Sequence, residues 1–283
     1  MSGSTEGRQP GRPRAGGRLA AYAVLGVLVI FTLLPFTWLV LAALDQRASI
    51  FVKMPEGWTL RNFVDLFGDQ DGFRLIRNSL IYAGGATLLL VVTTTMAGYV
   101  LSRFNFPGRH GLMLGILLIR VIPPTATIAP LYVTATDLHL LDTYHGMILI
   151  LAALEAPLVI WIMKGFFDTV PIEIEEAAWV DGASRLRATF GIVLPLAGPG
   201  VAAGGLIGFI GAWNQFLIPL VLISDQDKVP ISIGLFRAWV SYTRVDWGFL
   251  AALAVVYVIP AVAFYVVARR ALQASISGSL AGT

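Results

Sequence analysis

Cysteine is absent from the 283 residues. That excludes a disulfide framework, a thiolate nucleophile and any cysteine-ligated metal centre. Charge is scarce too. Asp, Glu, Lys and Arg make up 13% of the chain, about half of the roughly 25% usual in soluble domains. Lysine occurs only at 53, 164 and 228, and the rest of the basic charge is arginine, a bias that suits a GC-rich bacterial genome. None of the three lysines is followed by Ser or Thr. A phosphate loop needs that pair, because the lysine reaches the phosphates and the hydroxyl holds magnesium. No Walker site for ATP is therefore encoded here. The histidines, at 110, 139 and 145, fall near expected loops, and no pair has HExxH spacing. A metal or catalytic role is not expected. These absences exclude a soluble enzyme, a disordered chain and a nucleic-acid binder, despite a formal charge of +3 and a pI near 9.3.

Apolar residues are abundant: 57% of the chain, with a mean hydropathy of +0.76. Residues 19–44, 78–102, 121–136, 188–224 and 247–268 contain no Asp, Glu, Lys or Arg. About 20 apolar residues cross a bilayer core of roughly 30 Å. The pattern predicts an all-α membrane protein with six spans, at about 19–44, 77–102, 111–136, 143–164, 197–222 and 248–269. Arg120 interrupts the third span and Glu155 the fourth. The first apolar run is too long for the core of a signal peptide. Residues 1–18 are Gly, Pro, Ser and Arg and are expected to be a disordered tail. One membrane domain then covers 19–272, followed by a short tail at 273–283.

Arginine placement orients the spans. Arg8, Arg12, Arg14 and Arg18 precede the first, Arg103 and Arg109 separate the second from the third, and Arg269 and Arg270 end the last. The hairpin between spans three and four has no Lys or Arg. Both termini are therefore expected in the cytosol. Over all loops the excess is small. The long loops near 45–76 and 223–247 also carry basic residues, but long loops count less in this rule.

One segment does not fit a plain multispan protein. After span four the chain reads Val170-Pro171-Ile172-Glu173-Ile174-Glu175-Glu176-Ala177-Ala178-Trp179-Val180-Asp181-Gly182-Ala183-Ser184-Arg185. Pro171 suits a first helical turn, and the glutamates sit where the positive helix end favours them. Gly182 then breaks the helix. The pattern predicts a helix–turn–helix at the cytosolic surface, either a plain amphipathic interfacial helix or a plug for a soluble partner.

Spacing favours the plug. Glu176-Ala177-Ala178, then Gly182, Ile192 and Leu194-Pro195 resemble the EAA loop of bacterial ABC importer permeases. Asn78-Ser79-Leu80, Tyr99 through Gly108, Ile122-Pro123-Pro124, Gly165-Phe166-Phe167 and Trp213-Asn214-Gln215-Phe216 extend the likeness over about 20–272, to the maltose-type carbohydrate importers. The resemblance implies the MetI-like permease fold, with a coupling loop at 171–195 that docks on an ATPase through Glu176, Ala177, Ala178, Asp181 and Gly182. It implies a second permease subunit, two ATPase subunits that hold ATP and magnesium, and an extracytoplasmic sugar-binding protein or lipoprotein, all at a bacterial inner membrane. No cofactor is implied in this chain. A disaccharide is the expected cargo, with trehalose first, as in mycobacterial importers of this family. The C-terminal tail lacks the basic character common in the family.

Arg120 and Glu155 are expected near the bilayer middle, about 14 and 18 Å along their helices at 1.5 Å per residue. A lone charge there costs roughly 2.5–3.5 kcal/mol. The two form an ion pair between spans, or they touch a sugar in the path. Asn214 could donate and accept toward sugar hydroxyls, or hydrogen-bond between helices. Trp213 could stack on a sugar or pack at the subunit seam, and Asn78 is a further path candidate. Gly204 and Gly208 read as a small-residue packing face. In the outer loop, Phe236, Arg237, Trp239 and Tyr242 are candidates for contact with the binding protein, or an interfacial aromatic belt. Other function classes are an ion-driven secondary transporter, for which Glu155 is thin support, an intramembrane enzyme, for which no nucleophile appears, and an importer of another polar solute such as glycerol phosphate.

Overall fold

The computed structural model describes residues 15–68, 71–240 and 245–280. Thirteen α-helices cover these residues. The first, α1 (Ala15–Ala43), is followed by a loop and a short amphipathic α2 (Arg61–Gly68), then by α3 (Asp71–Arg103). A break divides α4 (Arg109–Ile119) from α5 (Pro124–Asp137), and α6 (Tyr144–Thr169) returns. The segment that stood out in the sequence holds α7 (Ile172–Val180), α8 (Arg185–Ala188), a π-helical turn (Thr189–Val193) and α9 (Leu194–Leu196). Next come α10 (Gly198–Trp213), α11 (Leu217–Leu222), α12 (Ile231–Trp239) and α13 (Trp247–Leu280).

Helices α1, α3, α6 and α13 are each long and apolar enough to cross a membrane, and two bent pairs raise the number to six. Thus the six-span, all-α reading holds, with two corrections. The expected straight span at 111–136 is broken, with α4 and α5 meeting at 99°. Pro123 and Pro124 are the cause. Neither can donate to a carbonyl four residues back, and each pushes the residue before it out of the α region; Pro123 itself is extended, at φ −61° and ψ 137°. The expected span at 197–222 is likewise not one helix. The bent pair that can cross here is Arg185–Leu196 with Gly198–Trp213, at 71°, so it begins before residue 197, and α10 stops with Asn214 as its C-cap. Pro219 lacks the N–H that would bond the Gln215 carbonyl. The Ser232 hydroxyl donates to that carbonyl instead, at 3.0 Å.

Helix α3 packs most extensively on α6, and both pack on α10. Tyr82, Leu90, Met147, Leu151, Val159, Met163, Phe167, Phe209 and Trp213 form one buried cluster along these helices. Gly204 and Gly208 take part in this packing as expected. A Cβ at Gly204 would lie 2.7 Å from Val159 of α6, and one at Gly208 would meet Leu90 of α3. By contrast α1 lies on α13 through Ala42, Ala43, Ala251 and Ala252, with Trp38 and Leu39 packed beside them, and its apolar side chains from Tyr22 to Phe36 are exposed. Such a surface is stable against lipid or another membrane subunit, not against water. Residues 1–14 and 281–283 of the expected tails lie outside the described residues. Ala15–Arg18 and Gln273–Leu280, also assigned to the tails, are helical.

Candidate functional site

Three places collect the polar groups that the apolar helices do not need for packing. At the break between α4 and α5, Arg120 Nη1 donates to Glu155 Oε2 of α6 at 3.1 Å. The Glu155 side chain is 14% exposed and that of Arg120 41%. The expected pair therefore forms, but with Arg120 as the C-cap of α4 rather than inside a straight span. Gly211 of α10 gives the carboxylate its space, since a Cβ there would lie 2.5 Å from Glu155 Oε1. One turn further, Asn214 is exposed, and its Oδ1 accepts from the Tyr257 hydroxyl of α13 at 2.7 Å. The Nδ2 amide has no partner among the described residues. Arg120, Glu155, Asn214 and Tyr257 thus lie at the interruptions of two spans, where backbone and polar side chains are tolerated only against protein or water. Gly211 and Tyr257 were not singled out in the sequence; each is one of many Gly and Tyr residues in apolar helices, without a local mark.

Two other candidates for this region are placed elsewhere. Trp213 is 2% exposed. It stacks on Phe209, and its Nε1 donates to the Tyr257 carbonyl at 3.1 Å. It belongs to the chain's own core and presents no ring face to a ligand or to a subunit seam. Asn78 is fully buried. Its Nδ2 donates to the carbonyls of Asp227 and Val229, at 2.8 and 3.0 Å, and its Oδ1 accepts from Tyr144 at 2.8 Å. Asn78 is a clamp for the outer loop, with no polar atom left for a solute.

The outer face is built on that clamp. Ser79 Oγ accepts from Ile231 N, and the Tyr82 hydroxyl donates to Lys228 O, both at 2.8 Å. Asp142, held at φ 52°, accepts from the backbone amides of Ser224 and Asp225 at 2.6 and 2.8 Å. Hydrogen bonds from Lys228 and from the Asp227 amide hold the Asp225 carboxyl below the usual range, and Asp225 in turn raises Lys228. Helix α12 buries Ile231, Ser232 and Ile233 and exposes Phe236, Arg237 and Trp239. Phe236 leans on Phe216 and Trp239 on Trp247, with ring centroids at 5.0 and 5.6 Å. Arg237 bonds Gln226. Tyr242 lies outside the described residues.

The opposite end carries α7. Glu176, Ala177, Asp181 and Gly182 are exposed, and Ala178 faces inward at 7% exposure. Gly182 has φ +88°, with open space around it. That conformation costs an L side chain about 1–2 kcal/mol, so glycine is required here by the backbone and not by crowding. Ser184 caps α8, and Arg185 lies over the Trp179 ring at 4.8 Å, tying α8 to α7. Glu175 is the residue that the sequence reading passed over as one of three dipole-favoured acids. It is 1% exposed and paired with Arg103 at 3.1 Å. The signal was present: Glu175 and Ala178 are three apart, hence on one face of α7, and that face turns inward.

Residues 75–278 match the family of binding-protein-dependent transport system inner membrane components. The chain is 32% identical to the diacetylchitobiose uptake system permease protein of Streptomyces coelicolor, over 91% of this chain and 86% of that one. It is also 32% identical to the trehalose transport system permease protein of Mycobacterium tuberculosis, over 94% of this chain and 100% of that one. Its fold resembles a crystallised bacterial ABC transporter for alginate import, with a TM-score of 0.80 at 20% identity, covering 93% of this chain and 99% of that one. The chain belongs to the family of binding-protein-dependent transport system inner membrane components, and it is a permease rather than a catalytic subunit.

Proposed function

We propose that the chain is one permease subunit of an ATP-driven sugar importer in a bacterial cytoplasmic membrane, with both termini in the cytosol. It lines half of a path for a disaccharide-sized sugar by alternating access. A second permease lines the other half, two ATPase subunits hold ATP and magnesium, and a sugar-loaded binding protein docks outside against Phe236, Arg237 and Trp239. The coupling contact is the EAA loop, 171–195. The single observation that carries this reading is the shape of α7. Glu176 and Ala177 are exposed next to Gly182 in the left-handed region, at the end of the molecule opposite the outer loop. The exposed acids Glu173, Glu176 and Asp181, with Ala177 between them, suit docking on a basic cleft.

Arg120, Glu155 and Asn214 are the path residues of this reading. Paired charges leave the break in the spans close to neutral, which suits a neutral polyol more than an anion such as glycerol phosphate. An ion-driven carrier would need Glu155 free to carry its ion, whereas Glu155 is engaged in an ion pair with Arg120. Trehalose is the first sugar to test, because the mycobacterial relative aligns along its whole length; diacetylchitobiose is the counterpart at equal identity. The test is the melting temperature of the co-purified binding protein with each sugar. A rise with trehalose alone supports the assignment, and a rise with diacetylchitobiose alone replaces it.

A further inference from the structure

Glu175 is the most deeply buried carboxylate among the described residues, at 1% exposure. Its neighbour Glu176 points to solvent. Glu175 Oε1 accepts from the Tyr99 hydroxyl, and Oε2 accepts from Arg103 Nε at 3.1 Å. Arg103 also donates from Nη2 to the Val170 carbonyl at 2.9 Å. The Tyr99 oxygen lies 2.9 Å from Thr189 Oγ1. The last turns of α3 therefore grip Val170 at the end of α6, the buried face of α7, and the start of the π-helical turn that follows α8. The opposite end of the same helix grips the outer loop through Asn78, Ser79 and Tyr82. Helix α3 runs unbroken through both grips, and from Asn78 to Arg103 it rises about 38 Å at 1.5 Å per residue.

Short turns separate α7 from α6 and from α8. Gly182 has open space around it. Apolar residues at both 175 and 103 would bury as well and can be as stable, since buried ion pairs often add little net stability. What the hydrogen-bonded pair adds is one permitted orientation, because either charge left alone in this site is strongly disfavoured.

We propose that Glu175 is a positioning residue for coupling. It locks α7 to the inner end of α3, so that a push on the Glu176–Ala177 face moves α3 and is not absorbed in the turns beside α7. This rests on the coupling reading above, and the experiment separates the two.

The full complex, reconstituted with its partner subunits and sugar-loaded binding protein, is assayed for assembly, basal ATP hydrolysis, stimulated hydrolysis and uptake per ATP. Tyr99→Phe removes one of the bonds to Glu175 and leaves the ion pair. It should assemble and lower the stimulated-to-basal ratio by about fivefold or more, within the range of measured coupling effects. Glu175→Gln should lower the ratio further and weaken assembly. The double variant Glu175→Met with Arg103→Met should regain assembly without regaining the ratio, which a purely structural role would not produce. A wild-type ratio in the double variant overturns the proposal. If the double variant does not assemble, a wild-type ratio in Tyr99→Phe overturns it. Glu176→Lys tests the coupling reading itself. Uncoupling by Glu176→Lys with normal coupling in the Glu175 and Tyr99 variants removes only the positioning role. Wild-type coupling in Glu176→Lys removes the reading beneath it.

Discussion

Arg120 and Glu155 carry the largest electrostatic burden in the spans, and their costs are linked. Separately, each charge costs roughly 2.5–3.5 kcal/mol at mid-membrane on insertion scales. Together, at 3.1 Å, they offset one another. Arg120→Met or Glu155→Met alone is therefore expected to destabilise the detergent-solubilised protein more than the double change, because a single change leaves an unpaired charge. A double-mutant cycle on melting temperature checks this, and simple additivity would reject the coupling. Gly211 makes a sharper distinction. Gly211→Ala places a Cβ 2.5 Å from Glu155 Oε1, but that oxygen ends a flexible side chain. The expected result is a displaced carboxylate with little loss of stability and a clear loss of uptake. Asn214→Ala removes the acceptor of the Tyr257 hydroxyl and the amide open to a sugar. It should lower uptake while the complex still assembles, and unchanged uptake rates would exclude Asn214 from the path.

At the scale of elements, the coupling loop provides the test. Gly182→Val should cost the backbone about 1–2 kcal/mol for its left-handed conformation and misdirect α8, while the spans insert normally. Glu176→Lys reverses the charge beside Ala177, one of three exposed acids with Glu173 and Asp181. Both variants should reach the membrane, as judged by fractionation, and both should lose either ATPase binding or stimulated hydrolysis. The outer latch has a pH signature. Asp225 is depressed by Lys228, so its contribution exists above the ordinary carboxylate range and fades as pH falls through its lowered pKa. Lys228 is raised by Asp225, so its contribution exists below the ordinary lysine range and fades as pH rises through its raised pKa. With Arg74 and Asp227 paired beside them, hydrogen exchange in 223–230 should be flat in latch protection across neutral pH and rise only in acid or strong base.

These elements also mark what was legible before the structure. Six spans follow from charge-free length, and the Gly182 turn from the EAA spacing, because each is a local property. The break at Pro123-Pro124 was visible as freed carbonyls, but its 99° angle was not, and α5 packs on α11, which is distant in sequence. Trp213 and Asn78 illustrate the opposite case. Polar or aromatic groups at span ends suggest a ligand, yet which way they face depends on partners far away in sequence, Tyr257 and the 227–229 backbone. Glu175 was hidden for the same reason, since Arg103 is 72 positions away.

For the whole molecule, the exposed apolar surface of α1 and the polar groups at the two broken spans both suit a subunit that works inside an assembly. Its family requires a binding protein by description, and the chain itself has no lysine followed by Ser or Thr for a phosphate loop. In the proposed function, energy reaches it through contact with the ATPase pair. The most direct measurement is sugar uptake into proteoliposomes holding the chain with its second permease and ATPase pair, with the sugar-loaded binding protein outside. The account predicts uptake that requires internal ATP and the binding protein, survives collapse of the proton gradient, and disappears in Gly182→Val with the complex intact. Uptake that persists without ATP and stops when the proton gradient is collapsed would contradict it.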